Sequence, residues 1–493
     1  MRPPLHQKPR CSAFCARRCP NPADRDAPVS EQHFQKVSEL RVSRDALFAW
    51  HDRPGAFERL CPPFDPARVI EQTGGIRDGD RATIAVPFGP LSLRWVAEHR
   101  GFVPGQQFQD VMLSGPFAAW EHTHRFESAP GGGSRLIDSI RYRLPLGALG
   151  ATFGAGLVAR KLEAAFRWRH RITAQDLALH AALQPGLAAQ RPGPWRVLIT
   201  GASGLVGRNL AALLSTGGHR LVRAVRRAAR GPDELAFERA GAPARLADLE
   251  DFDAVVHLAG EPIAQRWTKR ARAAIESSRV EGTRRLVAAL TALARPPRVL
   301  ISASAIGFYG ERGDEQVDER HGPGSGFLAD LAGRWEQAAD PARAAGMRVL
   351  HPRFGLILSP RGGALAKTLP AARLGLGGPL GSGRHWWSWV SLEDATAALL
   401  FGLATQGLEG PFNVVAPEPV RQADFMRVLG AVLRRPAFLP APAFALRLAF
   451  GEMADAALLA SVRVAPTRLQ NHGFRFRDPG LEACLRAQLG RWT

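Results

Sequence analysis

Gly201, Gly204 and Gly207 form a Gly-x-x-Gly-x-x-Gly run in LITGASGLVGRN (198–209), between an apolar stretch, Trp195 to Thr200, and a helix-forming one, Leu205 to Ser215. Strand, tight turn and helix in that order make a cradle for phosphate. Gly201 permits the turn, Gly204 lets the backbone approach a pyrophosphate, and Gly207 lets the helix pack closely on the sheet while its free N–H groups face the anion. Ser203, Leu205 and Val206 belong to the same cradle. A second apolar stretch, His219 to Val225, runs into Arg226 and Arg227, where an NAD-preferring chain would place a carboxylate for the ribose hydroxyls. Arginine there suits a 2′-phosphate, so NADP is the expected cofactor with NAD as the alternative. The two arginines also read as a solvated pair in an arginine-rich chain. A third stretch, Ala254 to His257, ends in Leu258, Ala259 and Gly260, which can pass beneath a flat ligand.

Alternating strands and helices must position these residues, and the chain supplies them. Beyond the three strands come Arg298 to Ser302 and Met347 to Phe354, with helices over Trp267 to Ala292 and Phe327 to Ala345. That is the order of a doubly wound α/β sheet, assigned to residues 195–418. Residues 419–493 read as a helical, proline-punctuated cap, and residues 182–194, rich in Pro and Gly, as a linker. Residues 31–181 begin with a strand, Gln32 to Val42, and a helix, Arg44 to Leu60. Five strand-like pieces follow: Arg81 to Val86, Leu91 to Arg100, Gln107 to Leu113, Trp120 to Glu127 and Ser134 to Tyr142. A long helix over about Leu157 to Leu179 closes the region. This order predicts an α+β sheet gripping the last helix around an apolar cavity. Phe88, Trp95, Phe102, Phe108, Trp120 and Phe126 are its core or its lining, and Arg169 and His170 read as solvated or capping groups.

At 493 residues, two or three domains are expected, and 45% apolar with 22% charged residues is a globular composition. The formal charge of +20 suggests nucleic acid. The arginines are scattered and no stacking pattern accompanies them, so no nucleic-acid partner is expected. Five cysteines make no disulfide framework for so large a chain, which fits a reducing cytoplasm. Cys11, Cys15 and Cys19 match no standard metal-ligand spacing and fall in a polar tail, residues 1–30, expected to be disordered; no metal is expected. No apolar stretch is long enough for a membrane span.

VLITGASGLVG (197–207), VVHLAGEPIAQRWT (255–268), SRVEGTRRLV (278–287), ISASAIGFYGERGDE (301–315), FLADLAGRWEQAA (327–339), RFGLILSPRGGAL (353–365), GGPLGSGRHWWSWV (377–390) and NVVAPEPV (413–420) fall in order. They resemble the atypical extended short-chain dehydrogenases/reductases known as epimerase family proteins. Residues 440–476 look like the domain of unknown function that ends such proteins. The resemblance implies a Rossmann domain, a cofactor set that includes Arg279, and an NAD(P)-dependent epimerase or oxidoreductase acting on a small-molecule hydroxyl or carbonyl substrate. FERLCPP (57–63) and KLEAAFRWRHRIT (161–173), with the element order around them, resemble the START-like, polyketide cyclase/dehydrase-like helix-grip group, which implies a hydrophobic ligand.

Ordinary short-chain dehydrogenases use a Ser with a Tyr-x-x-x-Lys pair, whose tyrosine exchanges the substrate proton. Ser304 is present, but with Glu336 as anchor the tyrosine and lysine slots hold Leu328 and Ala332. Tyr309 is the remaining phenol near Ser304, to act in acid/base chemistry or to pack its loop. His257 reads as a hydrogen-bonding residue. Substrate contacts are expected from Arg353, Arg384, Trp386 and Trp387, the tryptophans forming a platform or packing the regions together. Asp394 is expected to cap or orient its helix. Without the Tyr-Lys pair, a non-catalytic NADP(H)-binding redox or ligand sensor is the alternative function.

Overall fold

The computed structural model describes residues 31–88, 91–237 and 246–492, and the tail with Cys11, Cys15 and Cys19 lies outside them. The N-terminal region runs β1 (Gln32–Leu40), α1 (Arg44–Asp52), α2 (Ala56–Leu60), β2 (Arg68–Thr73), β3 (Arg81–Phe88), β4 (Leu91–Val103), β5 (Gln107–Ser114), β6 (Ala119–Ser128), β7 (Ser134–Arg143) and α3 (Gly147–Gln190). The seven strands pair antiparallel in the order β1-β7-β6-β5-β4-β3-β2. Alternation sets which face is covered: Ser134, Leu136, Asp138, Ile140 and Tyr142 of β7 are buried, and the residues between them are not. Phe108, Phe126, Leu136 and Leu177 pack with α1 in one apolar cluster, and Ile140, Tyr142, Leu162 and Phe166 form another. The side chain of Phe88 lies outside the described set.

Two expectations need correcting here. The helix over Arg44 to Leu60 is two helices, because Gly55 turns left-handed at φ +92° between them and lies so close to Ala212 that a Cβ would be 2.9 Å from its backbone. The linker expected over 182–194 is largely helix: α3 continues through Pro185 to Gln190. Its final turns carry Leu183 and Leu187 into the core of the next domain, and that burial outweighs the proline's missing hydrogen bond.

The second domain contains β8 (Arg196–Thr200), α4 (Leu205–Thr216), β9 (Arg220–Val225), β10 (Glu234–Ala236), β11 (Ala254–His257), α5 (Lys269–Thr291), β12 (Val299–Ser302), β13 (Ser304–Ala305) and β14 (Gln316–Val317). It continues with α6 (Phe327–Gln337), α7 (Asp340–Ala344), β15 (Arg348–Phe354), β16 (Leu356–Leu358), α8 (Gly363–Arg373), β17 (Trp386–Trp387), β18 (Trp389–Ser391), α9 (Leu392–Ala404) and β19 (Gly410–Val414). The one helix expected over Phe327 to Ala345 is α6 and α7, broken just before Pro341. The main sheet is parallel, in the order β10-β9-β8-β11-β12-β15-β13, with β19 also on β15. Strand order therefore reverses between β8 and β11, which opens a crevice at their carboxyl ends. The C-terminal region adds β20 (Val420–Arg421), α10 (Gln422–Leu433), α11 (Ala443–Phe450), β21 (Arg463–Val464), α12 (Thr467–Asn471) and α13 (Leu481–Leu489). Its strands β20 and β21 pair with β17 and β14, so the cap is stitched to loops of the second domain. Among the described residues no helix is long and apolar enough to cross a membrane.

Candidate dinucleotide and proton-transfer site

The crevice between β8 and β11 is closed beneath by glycine. Gly201 has φ +70°, and a Cβ there would stand 2.7 Å from the carbonyl of Leu258. A Cβ on Gly207 would stand 2.4 Å from Gly201 O, so α4 can approach the turn only without a side chain. Gly204 differs: a Cβ on it would meet only Gly201 O, at 3.2 Å, and otherwise open space. Gly204 is the N-cap of α4, no side chain caps the helix, and its first turn carries no acid. The N–H groups of Leu205, Val206 and Gly207 are thus left to an outside acceptor at the positive end of the helix, beside Ser203. A diphosphate fits that arrangement.

The loop after β11 is held from both sides. Thr200 Oγ1 lies 2.7 Å from His257 Nδ1 and accepts the N–H of Ala259 at 3.3 Å. Arg279 lies under Gly260 and donates to Glu261 O at 2.9 Å. Burial lowers the Arg279 pKa to about 10 and that of His257 to about 4, so His257 is a neutral ring fixed inside the sheet. At the end of β9 the two arginines part company. Arg227 forks onto Glu234 with two bonds of 2.7 Å. Arg226 is exposed and has no side-chain partner among the described residues.

Ser304 leads to a buried polar chain. Its Oγ donates to Glu336 Oε1 at 2.6 Å, and Arg353 grips the same carboxylate through Nε and Nη2, both at 2.8 Å. Arg353 Nη1 donates to the Tyr309 hydroxyl at 3.0 Å, and that hydroxyl donates to Asn413 Oδ1 at 2.8 Å. Register explains the convergence, since Ser304 lies opposite Arg353 and Arg353 opposite Asn413. This arrangement narrows two of the expected roles. Tyr309 is 0% exposed with its hydroxyl engaged by Arg353 and Asn413, and burial pushes its pKa up to about 12, so of its two expected roles the arrangement favours packing and orienting. Arg353 is 3% exposed and spent on Glu336, so it is not a free clamp for substrate.

Of the other substrate candidates, Trp387 packs edge-on against Phe425 at 5.2 Å in the cluster that joins α8, α10 and α13, which is packing rather than a platform. Trp386 is half-buried between the guanidiniums of Arg421 and Arg463, 4.1 and 4.6 Å from its ring, and donates to Asp314 at 3.0 Å. Arg384 is exposed nearby, and its carbonyl accepts from Arg421. Asp394 caps more than its own helix: it accepts the N–H groups of Arg477 and Asp478 at 2.8 and 3.0 Å. His170 corrects its reading as a solvated group, being 4% exposed and bonded to Asp138 and Ser38.

Sequence reasoning missed Glu336 and Asn413 as participants. The signal for Glu336 was its spacing: it lies eight and four residues beyond Leu328 and Ala332, on the same face of α6. Asn413 carries no such signal, because only the β15–β19 pairing brings it to Tyr309.

Residues 197–414 match the NAD dependent epimerase/dehydratase family, 441–488 the domain of unknown function DUF1731, and 40–168 the polyketide cyclase/dehydrase and lipid transport family. The chain is 34% identical to a solved nucleoside-diphosphate sugar epimerase from Corynebacterium glutamicum, with a TM-score of 0.75, 93% of this chain and 90% of that one covered. It is 31% identical to the human epimerase family protein solved with NADPH, with a TM-score of 0.54, 60% of this chain and 99% of that one covered. An epimerase family protein of Mycobacterium bovis is 43% identical over 281 residues, 57% of this chain and 93% of the relative. The chain belongs to the epimerase family, with a C-terminal DUF1731 and a fused N-terminal START-like domain.

Proposed function

We propose that the chain binds NADP(H) at the β8–α4 turn and interconverts a hydroxyl and a carbonyl group on a small molecule. The observation that carries this reading is the uncapped first turn of α4, facing the switch-point crevice with Gly204 open to it. The relative solved with NADPH supports the cofactor, and Arg226, exposed at the end of β9, would meet its 2′-phosphate. NADP, when bound, supplies or accepts the hydride. The residues of this chain would handle the proton: Ser304, 2% exposed at rest, would meet the substrate hydroxyl when the crevice is filled, its Oγ taking that proton while passing its own to Glu336 Oε1, and the reverse path returns it. Arg353 holds that carboxylate in place, and Tyr309 and Asn413 hold Arg353.

The N-terminal domain would hold or deliver an apolar ligand. Its support is the family match. Tethering would raise that ligand's effective concentration at the second domain.

Calorimetric titration of the cofactor-stripped chain with NADPH and NADH tests the first step. NADPH is expected to bind more tightly, Arg226→Ala to erase the preference, and Gly204→Asp, which puts a negative side chain at the phosphates, to abolish binding. Binding of neither nucleotide by the wild type would overturn the proposal. Leu328 and Ala332 in the usual Tyr and Lys slots favour a second reading, a non-catalytic NADP(H) sensor. Tight NADPH binding without turnover on a broad panel of carbonyls and alcohols, unchanged in Ser304→Ala, would select it.

A further inference from the structure

The concave face of the N-terminal sheet holds a group of ionisable side chains that the epimerase chemistry does not use. Pairing register assembles them. His99 of β4 lies opposite Asp110 of β5, and Asp110 opposite His122 of β6. Two residues along β6, on the same face, His124 lies opposite Asp138 of β7. His122, His124 and Asp138 are 3%, 5% and 2% exposed. Helix α3 covers them with Phe166 and His170.

These side chains converge as ligands do. Asp110 Oδ2 lies 3.3 Å from His124 Nε2 and 3.7 Å from His122 Nδ1, and one donor atom from each of the three residues falls within 4.8 Å of the others. Metal–donor bonds of about 2.0–2.2 Å at tetrahedral angles place neighbouring donors roughly 3.3–3.6 Å apart. The far nitrogens of both rings turn to one carboxylate: His122 Nε2 and His124 Nδ1 lie 3.0 and 2.6 Å from Asp138 Oδ1. The other oxygen of Asp138 meets His170 Nε2 at 2.7 Å, and His99 Nδ1 lies 2.7 Å from Asp110 Oδ1. A carboxylate behind each imidazole is the arrangement that fixes metal-binding histidines.

As a purely hydrogen-bonded core the group is incompletely satisfied. His124 Nδ1, His99 Nδ1 and Asp110 Oδ1 are buried without a well-directed hydrogen bond, despite the short distances to their neighbours. Two carboxylates share the site, and among the described residues neither pairs with a lysine or arginine. Asp138 is 2% exposed and the Asp110 side chain 26%, and holding two carboxylates there is costly unless a cation, a protonated imidazole or a metal ion, neutralises them.

We propose that Asp110, His122 and His124 bind a divalent first-row transition metal ion, with Asp138 orienting both histidines and His99 orienting Asp110. Two imidazoles and one carboxylate suit zinc, iron(II) or cobalt(II) rather than calcium or magnesium, and three protein ligands leave at least one position open for water or a ligand oxygen. The aromatic set Trp95, Phe117, Trp120 and Tyr142 continues the same face of the sheet, Trp120 two residues from His122.

The test uses the full chain carrying Cys11→Ser, Cys15→Ser and Cys19→Ser, stripped with chelator and titrated with Co²⁺ and then Zn²⁺. One equivalent of Co²⁺ is expected to give an intense visible d–d band without a thiolate-to-cobalt charge-transfer band, and Zn²⁺ is expected to bleach it. Joint replacement His122→Gln and His124→Gln should remove the band while NADPH binding at the other domain reports an intact chain, and Asp138→Asn should weaken metal affinity about 10–100-fold. No d–d band in the wild-type site, only the weak absorption of six-coordinate cobalt on surface histidines, or an undiminished band in the double-glutamine variant, would overturn the proposal. Where that variant does not fold, the Asp138→Asn affinity carries the assignment, and an affinity equal to that of the wild type would overturn it.

Discussion

His257 shows how one residue's burial becomes a property of the whole protein. Its ring is 3% exposed, touches Thr200 Oγ1, and is held neutral by desolvation at a pKa of about 4, against 6.5 for the free side chain. Above pH 6.5 both the folded and unfolded states carry a neutral ring and the shift contributes nothing. As the pH falls from 6.5 to 4 the unfolded chain takes up a proton that the folded chain refuses, so stability declines across that window. One pH unit is worth about 1.4 kcal/mol, which makes the loss at pH 5 about 2 kcal/mol. His257→Asn should lose about that much less stability than wild type between pH 7 and pH 5 in urea denaturation; equal losses would show that the ring titrates freely. Glu336 makes the complementary case, a carboxylate whose meaning depends on its neighbours. A sequence shows it only through its spacing from Leu328 and Ala332 on α6, whereas Ser304 and Arg353 converge on its carboxylate, the centre of the proposed proton path.

Among the elements, those with clear periodicity were legible and those built by packing were not. Strands β3 to β7 and the parallel strands β8, β9, β11, β12 and β15 fall where alternation or apolar runs put them. Strand β2 left no signal because it is an edge: five of its six residues are exposed, so nothing in Arg68–Thr73 alternates. The Gln184-Pro185-Gly186 stretch looks like a break and is not one. Gly186 lies against α9, where a Cβ would come within 2.6 Å of Ala404 O, and Gln190 donates to the carbonyls of Leu403 and Ala404. Gly to Ala in a helix interior ordinarily stabilises by up to about 1 kcal/mol. Here Gly186→Ala should instead destabilise by about 1–3 kcal/mol through overpacking, seen as a lower thermal midpoint. A raised midpoint would mean that α3 and α9 are less closely packed than the structure shows. The histidine and aspartate group is illegible for a related reason: its members sit on four strands, and only His122-x-His124 hints that two share a face.

In the whole molecule the domains are joined by buried charge as well as apolar contact. Asp176 of α3 is 0% exposed and accepts from Arg59 of α2 at 2.7 and 2.8 Å and from Arg477 of the C-terminal region at 2.9 Å. Arg59 also reaches Asn209 of α4, and Arg171 pairs with Asp478. Removing the shared carboxylate leaves two guanidiniums buried without their partner, which costs about 3–5 kcal/mol. Asp176→Asn is therefore expected to split a single calorimetric unfolding transition into two, the N-terminal domain melting apart from the rest. A single transition at an unchanged midpoint would show that the apolar contacts alone couple the domains.

Helix α3 thus belongs to both domains at once. Its first turns face the sheet of the grip, while Leu183 and Leu187 are bricks in the core around α4 and α9, and Trp168 and Ile172 lean on Ala487 of the last helix. The polyketide cyclase match ends at residue 168 and the epimerase match begins at 197, yet α3 runs on between them without a break. A shortened chain begun at Trp195 would bare the apolar flank that Leu183 and Leu187 cover. Where the two family matches part, the core does not.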